Sequence, residues 1–508
     1  MLGPDFHQPA AKVGARWIEA TDPAVATKRV EYRDWWAVFN DPVLTELVGI
    51  AYRGNLTLLA AGVRVLEARA QLGIAIGEFY PQQQQVGAGL NYNRIPFSVP
   101  YKLVNNTFWG TTFEAQTAWE LDVWGKLRRG IESADDVYLA SVADFDDVLV
   151  TLTADVASTY VQIRTLEEQL KIARQNVERQ REALRIAKTR FEGGAVTELD
   201  PDQATNVLGA TEAAIPQLTF QLQQSKNALS VLLGEPPGGI DELLTGASGI
   251  PGAPERIVVG IPADLLRGRP DVRRAELQAA AQCAQIGFAK ADLFPIFSLT
   301  GNIGTFATTI TSSAGGLGRL FSTDTFMYGV GPGVQWNILN YGQITNNVRY
   351  QDARFQEFLV NYQNVVLKAQ QEVENGVSQF IESRKAVRAL NTSVEGAKAA
   401  LTIAILQYEE GTVDFTTVLT AEENLYQAQN SLVMAMGTVP LGLIATYRAL
   451  GGGWQIREGN DFVPAPTRRA MAARVNWGEM LSPELLRPQA PGLPSPSDVG
   501  PLVRPPEY

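Results

Sequence analysis

Side chains able to do covalent or metal chemistry are scarce in this chain. Of its 508 residues one is a cysteine, Cys283, and one a histidine, His7. A tetrahedral zinc site needs several such ligands. A nucleophile–imidazole pair needs a histidine held in place by the fold. His7 follows Pro4 by three residues in a start without periodic pattern, and it reads as a solvated terminal residue. No disulfide can close within a chain that has one thiol. Carboxylate-only chemistry is left, and no acid pair announces itself. The glycines of GVGPG (329–333) have the look of a phosphate loop, but they lie in an alternating run with no phosphate-binding helix behind them. Glycines in a crowded strand explain them better. The expectation is a protein that is not an enzyme and holds no cofactor or metal. A net charge of −11 and a pI near 5.0 also argue against a nucleic-acid partner, which would select a basic stripe.

The informative residues are aromatics and glycines that recur at fixed spacing. AWELDVWGKLRRG (118–130) returns in outline as VQWNILNYGQITN (334–346), with Trp119, Trp124 and Gly125 matched by Trp336, Tyr341 and Gly342. GEFYPQ (77–82) resembles ADLFPI (291–296). FEGGAVTELDPDQA (191–204) resembles YEEGTVDFTTVLTA (408–421). These landmarks fall in the same order at a nearly constant offset of about 215 residues, the mark of a duplicated structural unit.

Between the landmarks the periodicity defines the elements. After the first corner, apolar residues from Val142 through Tyr160 and Leu170 to Phe191 recur in steps of three and four, with one missed beat at Gln180. Phe355 to Tyr408 repeats the pattern, and no proline interrupts either run. This is the stripe of a long amphipathic helix, and from Gly125 to Phe191 it predicts a rod of about 100 Å. Gly193-Gly194 and Gly411-Thr412 suit helix ends. Helical runs at 197–233 and 414–449 then return, so each half holds a long hairpin. Ahead of each corner the period is two. In 107–123, Trp109, Phe113, Ala115 and Trp119 alternate with Gly110, Thr112, Glu114 and Gln116; 328–338 and the segments after Pro81 and Pro295 alternate as well. An apolar face opposite a wet one, in segments of about ten residues, fits membrane-barrel strands. Two strands per half make four per chain, and the smallest barrels need about eight, so several chains would share one barrel. Trp119, Trp124, Trp336 and Tyr341 would then lie at a membrane–water interface. The charge-free stretch 424–447 carries too many amides, with Gly437 and Pro440, to face lipid as a helix. MLGPDFHQP has neither the basic nor the apolar region of a signal peptide.

At this point the chain resembles the TolC-like outer-membrane factors, in particular the NodT-type branch of efflux lipoproteins. The resemblance covers about residues 3–455 and rests on three phrases. They are Arg269-Pro270-Asp271 opening a run to Phe294-Pro295, the start Gly3-Pro4-Asp5-Phe6 with Trp17 beyond, and FNDPVLTELVGIAYRGNLTL (39–58). It implies a mainly α protein with a membrane β-barrel part. Three chains would contribute four strands each to a 12-stranded barrel, and their long hairpins would form a periplasmic tunnel. It implies a homotrimer among outer-membrane lipids, docked on a periplasmic adaptor and an inner-membrane pump of the RND type, that passively exports small molecules such as drugs or toxic compounds. It also implies a lipid-modified cysteine just before Gly3, where this chain has Met1-Leu2, and a gate at the hairpin tips. Relatives often place Leu and Asp there. The first half has Leu199 and Asp200; the corresponding places in the second are Thr416 and Thr420, with Asp414 close by.

The expected organisation is an N-terminal segment with an equatorial helix (1–54), two repeats (55–250 and 251–455) and a Pro-rich disordered tail (456–508). A duct for type I protein secretion has the same fold and is the nearest rival. A soluble or peripheral coiled-coil scaffold is the rival of another class, disfavoured by the alternating aromatic strands.

Overall fold

The computed structural model describes residues 1–27, 32–94, 107–246, 249–259, 268–309 and 322–482. The duplication is explicit in the helix lengths. Each repeat has an approach helix of 22 residues (Leu56–Gly77; Pro270–Ala291), a long helix of 67 (Lys126–Glu192; Gln343–Glu409) and a return helix of 35 (Leu199–Leu233; Phe415–Ala449). At 1.5 Å per residue the long helices run about 100 Å. Gly194 and Gly411 turn each long helix into its return helix with positive φ (68° and 74°). Phe415–Ala449 is apolar enough to cross a membrane by composition, but half of its most apolar 18-residue window is buried, and it packs on the second long helix as a core element.

The phrases that carried the resemblance act as fasteners. Asp41 caps helix Pro42–Gly54 by accepting from the Val43 and Leu44 amides, and the buried Tyr160 hydroxyl of the first long helix donates to its other oxygen (2.7 Å). Asn55 caps the first approach helix and donates to the Leu232 carbonyl (2.9 Å), tying that helix to the return helix. Arg269 is buried; its guanidinium pairs with Asp271 (2.7 Å) and Glu372 (2.8 Å) and donates to the Ala449 carbonyl. It thus joins the second approach, long and return helices. Gly3-Pro4-Asp5 docks at the first corner, where Asp5 pairs with buried Arg129 (2.6 Å) and the Leu2 amide donates to the Trp124 carbonyl. Cys283 is buried beside Pro4, and burial pushes its thiol up to about 11, so it is a packing residue.

Strands β2 (Gln83–Arg94), β3 (Thr107–Leu121), β5 (Ile296–Thr308) and β6 (Phe326–Gln335) form one antiparallel sheet in the order β2-β3-β5-β6. β1 (Val25–Thr27) and β4 (Ile257–Val259) form a separate parallel pair. The register aligns apolar residues across the large sheet: Val86 faces Ala115, which faces Ile303, which faces Tyr328. The adjoining row, on the other face, is Gln85, Gln116, Asn302 and Gly329. Tyr328, Val330 and Val86 are more than 70% exposed, so a greasy face stands uncovered in the single chain. The outer edges of β2 and β6 have no strand beside them among the described residues.

One expectation is corrected. Residues 456–482 are folded, and the tail read as disordered does not begin at 456. Arg457 is buried against Asp146 of the first long helix (2.8 Å), Phe462 meets Phe145 edge-on (5.2 Å), and helix Ala465–Arg474 follows with Met471 buried. Proline suggested disorder, yet Pro464 and Pro466 sit at a helix start, where a missing amide costs nothing. The remainder of that tail, 483–508, lies outside the described residues.

Candidate functional site

Two constellations stand out, one at each end of the long helices. At the strand end are the corners. Gly125 and Gly342 take positive φ (81° and 84°), which glycine adopts without strain, and the long helices start from them. Trp119 lies in β3 and donates its indole N–H to the Phe79 carbonyl (3.1 Å). Trp336, just past β6, donates in the same way to the Leu293 carbonyl (3.1 Å). Phe79 and Leu293 occupy equivalent places in the turns ahead of β2 and β5, so each repeat fastens its strand pair by the same bond. Trp124 reaches across repeats: its indole donates to the Pro295 carbonyl (2.8 Å) and its ring lies 4.9 Å from Phe294. Tyr341, its counterpart, is 96% exposed with φ of 48°.

At the other end are the hairpin tips, packed around a small apolar cluster that includes Ala187, Ala204, Leu401, Tyr408, Phe415 and Leu419. The Tyr408 hydroxyl donates to Asp200 (3.2 Å). The Arg190 guanidinium lies 4.4 Å from the Tyr408 ring centre and donates to the Tyr408 carbonyl. Burial, then the Asp200 charge, pushes the phenol pKa up, which keeps Tyr408 a neutral donor. Gln203 and Thr416 also meet across the hairpins (3.4 Å). Asp414 caps the second return helix, accepting from the Thr417 amide (3.0 Å) and hydroxyl (2.8 Å). Thr420 donates its hydroxyl to the Thr416 carbonyl. Asp414, Thr416 and Thr420 line an open groove of about 870 Å³ with Gly396 and Ala400. Leu199 is 59% exposed.

The structure therefore brings Asp200 and Thr416 into contacts between the hairpins and leaves Leu199, Asp414 and Thr420 outside them. Sequence reading missed Tyr408 as the partner of Asp200, and Arg190 as the cation stacked on Tyr408. Tyr408 was visible as the end of an apolar stripe and as the match of Phe191, and that substitution, which adds a hydroxyl donor to one copy, was the available signal. Two helical turns above the tips, Glu422 is buried with one carboxylate oxygen unpartnered.

A four-stranded sheet, greasy on one face and wet on the other, on paired rods of about 100 Å is the architecture of an outer-membrane channel. The chain belongs to the outer membrane efflux protein family, whose model matches residues 47–235 and 261–452. It is 30% identical to nodulation protein T of Rhizobium leguminosarum bv. trifolii, over 86% of this chain and 91% of that one. A solvent efflux pump outer membrane protein of Pseudomonas putida is 29% identical over 90% of this chain and 96% of its own. Among solved structures, the outer-membrane channel OprN matches with a TM-score of 0.82 and 31% identity, covering 89% of this chain and all but 1% of that one. The open-state MtrE channel of Neisseria gonorrhoeae matches with a TM-score of 0.76 and 26% identity over 89% of this chain and 98% of that one. This is an outer-membrane efflux protein with the TolC-like fold, and its family is one of channels.

Proposed function

We propose that this chain is the outer-membrane exit duct of a tripartite efflux pump of the RND type. Three copies join their four-stranded sheets into one barrel and their hairpins into one tunnel, which meets a periplasmic adaptor and an inner-membrane pump. The observation that carries the reading is the sheet: amphipathic, open at both edges among the described residues, and too narrow to close alone. The cargo is small and toxic or secreted, since relatives are named for solvent efflux and pyoverdine export. The four corner aromatics lie at the periplasmic membrane–water interface, and 1–54, the two repeats and the docked segment after 455 are the working units. Conductance through planar bilayers tests the channel; a purified protein that opens no pores would refute it.

The tip contacts are the gate. A hydrogen bond to a charged carboxylate contributes about 1.5–3 kcal/mol, and three copies would act on one aperture. Tyr408→Phe combined with Arg190→Ala removes the donor and the stacked cation while leaving the apolar cluster. The expected result is a several-fold rise in single-channel conductance and increased entry of large antibiotics into cells. Wild-type conductance in that variant would remove these residues from the gate.

A further inference from the structure

The two corners are built alike but are not occupied alike, and the difference identifies a joint. Around Trp124, the first repeat grips the second. The indole seats on Phe294 and Pro295, Lys126 pairs with Asp292 (2.7 Å), and Gly130 lies under the Phe288 ring. The first long helix packs on both approach helices; the second packs on Pro270–Ala291 and makes no comparable contact with Leu56–Gly77. Moving each of these contacts forward by one repeat gives its counterpart. Trp124 becomes Tyr341, Lys126 becomes Gln343, Phe294-Pro295 becomes Tyr80-Pro81, Asp292 becomes Glu78, and Phe288 becomes Ile74. The equal lengths of the paired helices, and the matching bonds from Trp119 to Phe79 and from Trp336 to Leu293, fix this correspondence on both sides of the contact. Within one chain the counterpart contact is not made: Tyr341 is 96% exposed and Ile74 is 58% exposed.

We propose that Tyr341 of each copy seats against the Tyr80–Pro81 turn of the adjoining copy, repeating between chains the grip that Trp124 has on Phe294 and Pro295 within one. The occupant is a second copy of this chain, because only its first repeat presents the approach helix and turn that the second repeat's corner lacks. Tyr341 is then a subunit key, and its ring lies over Tyr80 with the hydroxyl taking the donor role of the indole. Gln343 meets Glu78 beside it. The proposal rests on the shared-barrel reading and adds its point of registration.

Photo-crosslinking of the full-length protein tests it. Tyr341→p-benzoylphenylalanine, irradiated in detergent, is expected to give a covalent dimer and trimer whose joined peptides link residue 341 to residues 78–82. The same probe at position 124 gives the reference product, a link to 294–295 within one chain. Products joined elsewhere, or none, in a protein whose native mass is that of three chains would overturn the joint and leave the trimer standing. A native mass of one chain would overturn both. A second variant does not depend on the probe. Gln343→Lys restores the ion pair that Lys126 makes and is expected to raise the temperature at which the oligomer separates, whereas Gln343→Glu, facing Glu78, is expected to lower it. Identical separation temperatures in both variants would overturn the pairing.

Discussion

Arg457→Ala is expected to lower the stability of the protein by about 3–5 kcal/mol, the usual cost of leaving one member of a buried ion pair alone. The arginine and Asp146 are each no more than 5% exposed in their side chains, and two guanidinium nitrogens address the two carboxylate oxygens. Burial pushes the Asp146 pKa up and Arg457 pulls it back, so without the arginine the buried charge loses its hydrogen-bonded partner and keeps only the weaker pull of Arg273. The guanidinium also lies over Trp454 (5.4 Å) and Phe462 (5.3 Å), and its loss would loosen the folded segment after 455. The check is the thermal midpoint together with protease cleavage between 458 and 482. Asp146→Leu combined with Arg457→Met removes the charges together and should recover much of the loss. A single variant within about 1 kcal/mol of wild type would show that water reaches the pair.

Raising the pH from about 4.5 to about 7 is expected to destabilise the hairpin tips through Glu422. Burial raises its carboxyl from 4.5 to about 7, opposed by Arg179. Arg179 and Glu182 face it from the first long helix, and Tyr408 and Glu409 from the second. Because the folded pKa is the higher, the native state holds a proton that the unfolded chain has released within this window. Stability is therefore full below about 4.5 and is lost as pH rises towards 7. The shift corresponds to about 3 kcal/mol. Glu422→Gln keeps the shape of the protonated acid, so it should match wild type at pH 4 and exceed it by up to that amount at pH 8. Thermal midpoints of both proteins across this range decide it; parallel curves would mean that the carboxyl titrates normally. Arg179 retains Asn176 and Gln429 as acceptors in the variant.

Periodicity made the long elements readable. Apolar steps of three and four foretold two unbroken helices, and even the missed beat, Gln180, stays on the stripe: it is buried. Alternation foretold four strands, although β6 ends at Gln335, before the projected 338. The resemblance supplied the tips, but spacing could not pair Asp200 with Tyr408, 208 residues away. That contact depends on how two hairpins lie side by side, which no local pattern records. Asp146 and Glu422 carry no signal of their burial in the sequence, because charge along a helix normally marks its solvated face. Proline content hid the anchors after 455, since Phe462, Val463 and Arg457 are too few to register in composition yet are all buried.

The bare margins of the sheet have a genetic consequence. Among the described residues both edges of the four-stranded sheet are unpaired, so it does not finish its hydrogen bonding there, and such edges invite wrong partners. If three copies complete one another, each barrel is only as sound as its worst strand. A lesion that leaves β2 or β6 unable to pair would not behave as a simple loss, because defective chains would enter assemblies with normal ones and spoil them. Co-expressed with the normal gene at equal dose, such an allele would leave intact channels in the minority. The damage would also begin before insertion, while uncommitted edges are still exposed in the periplasm.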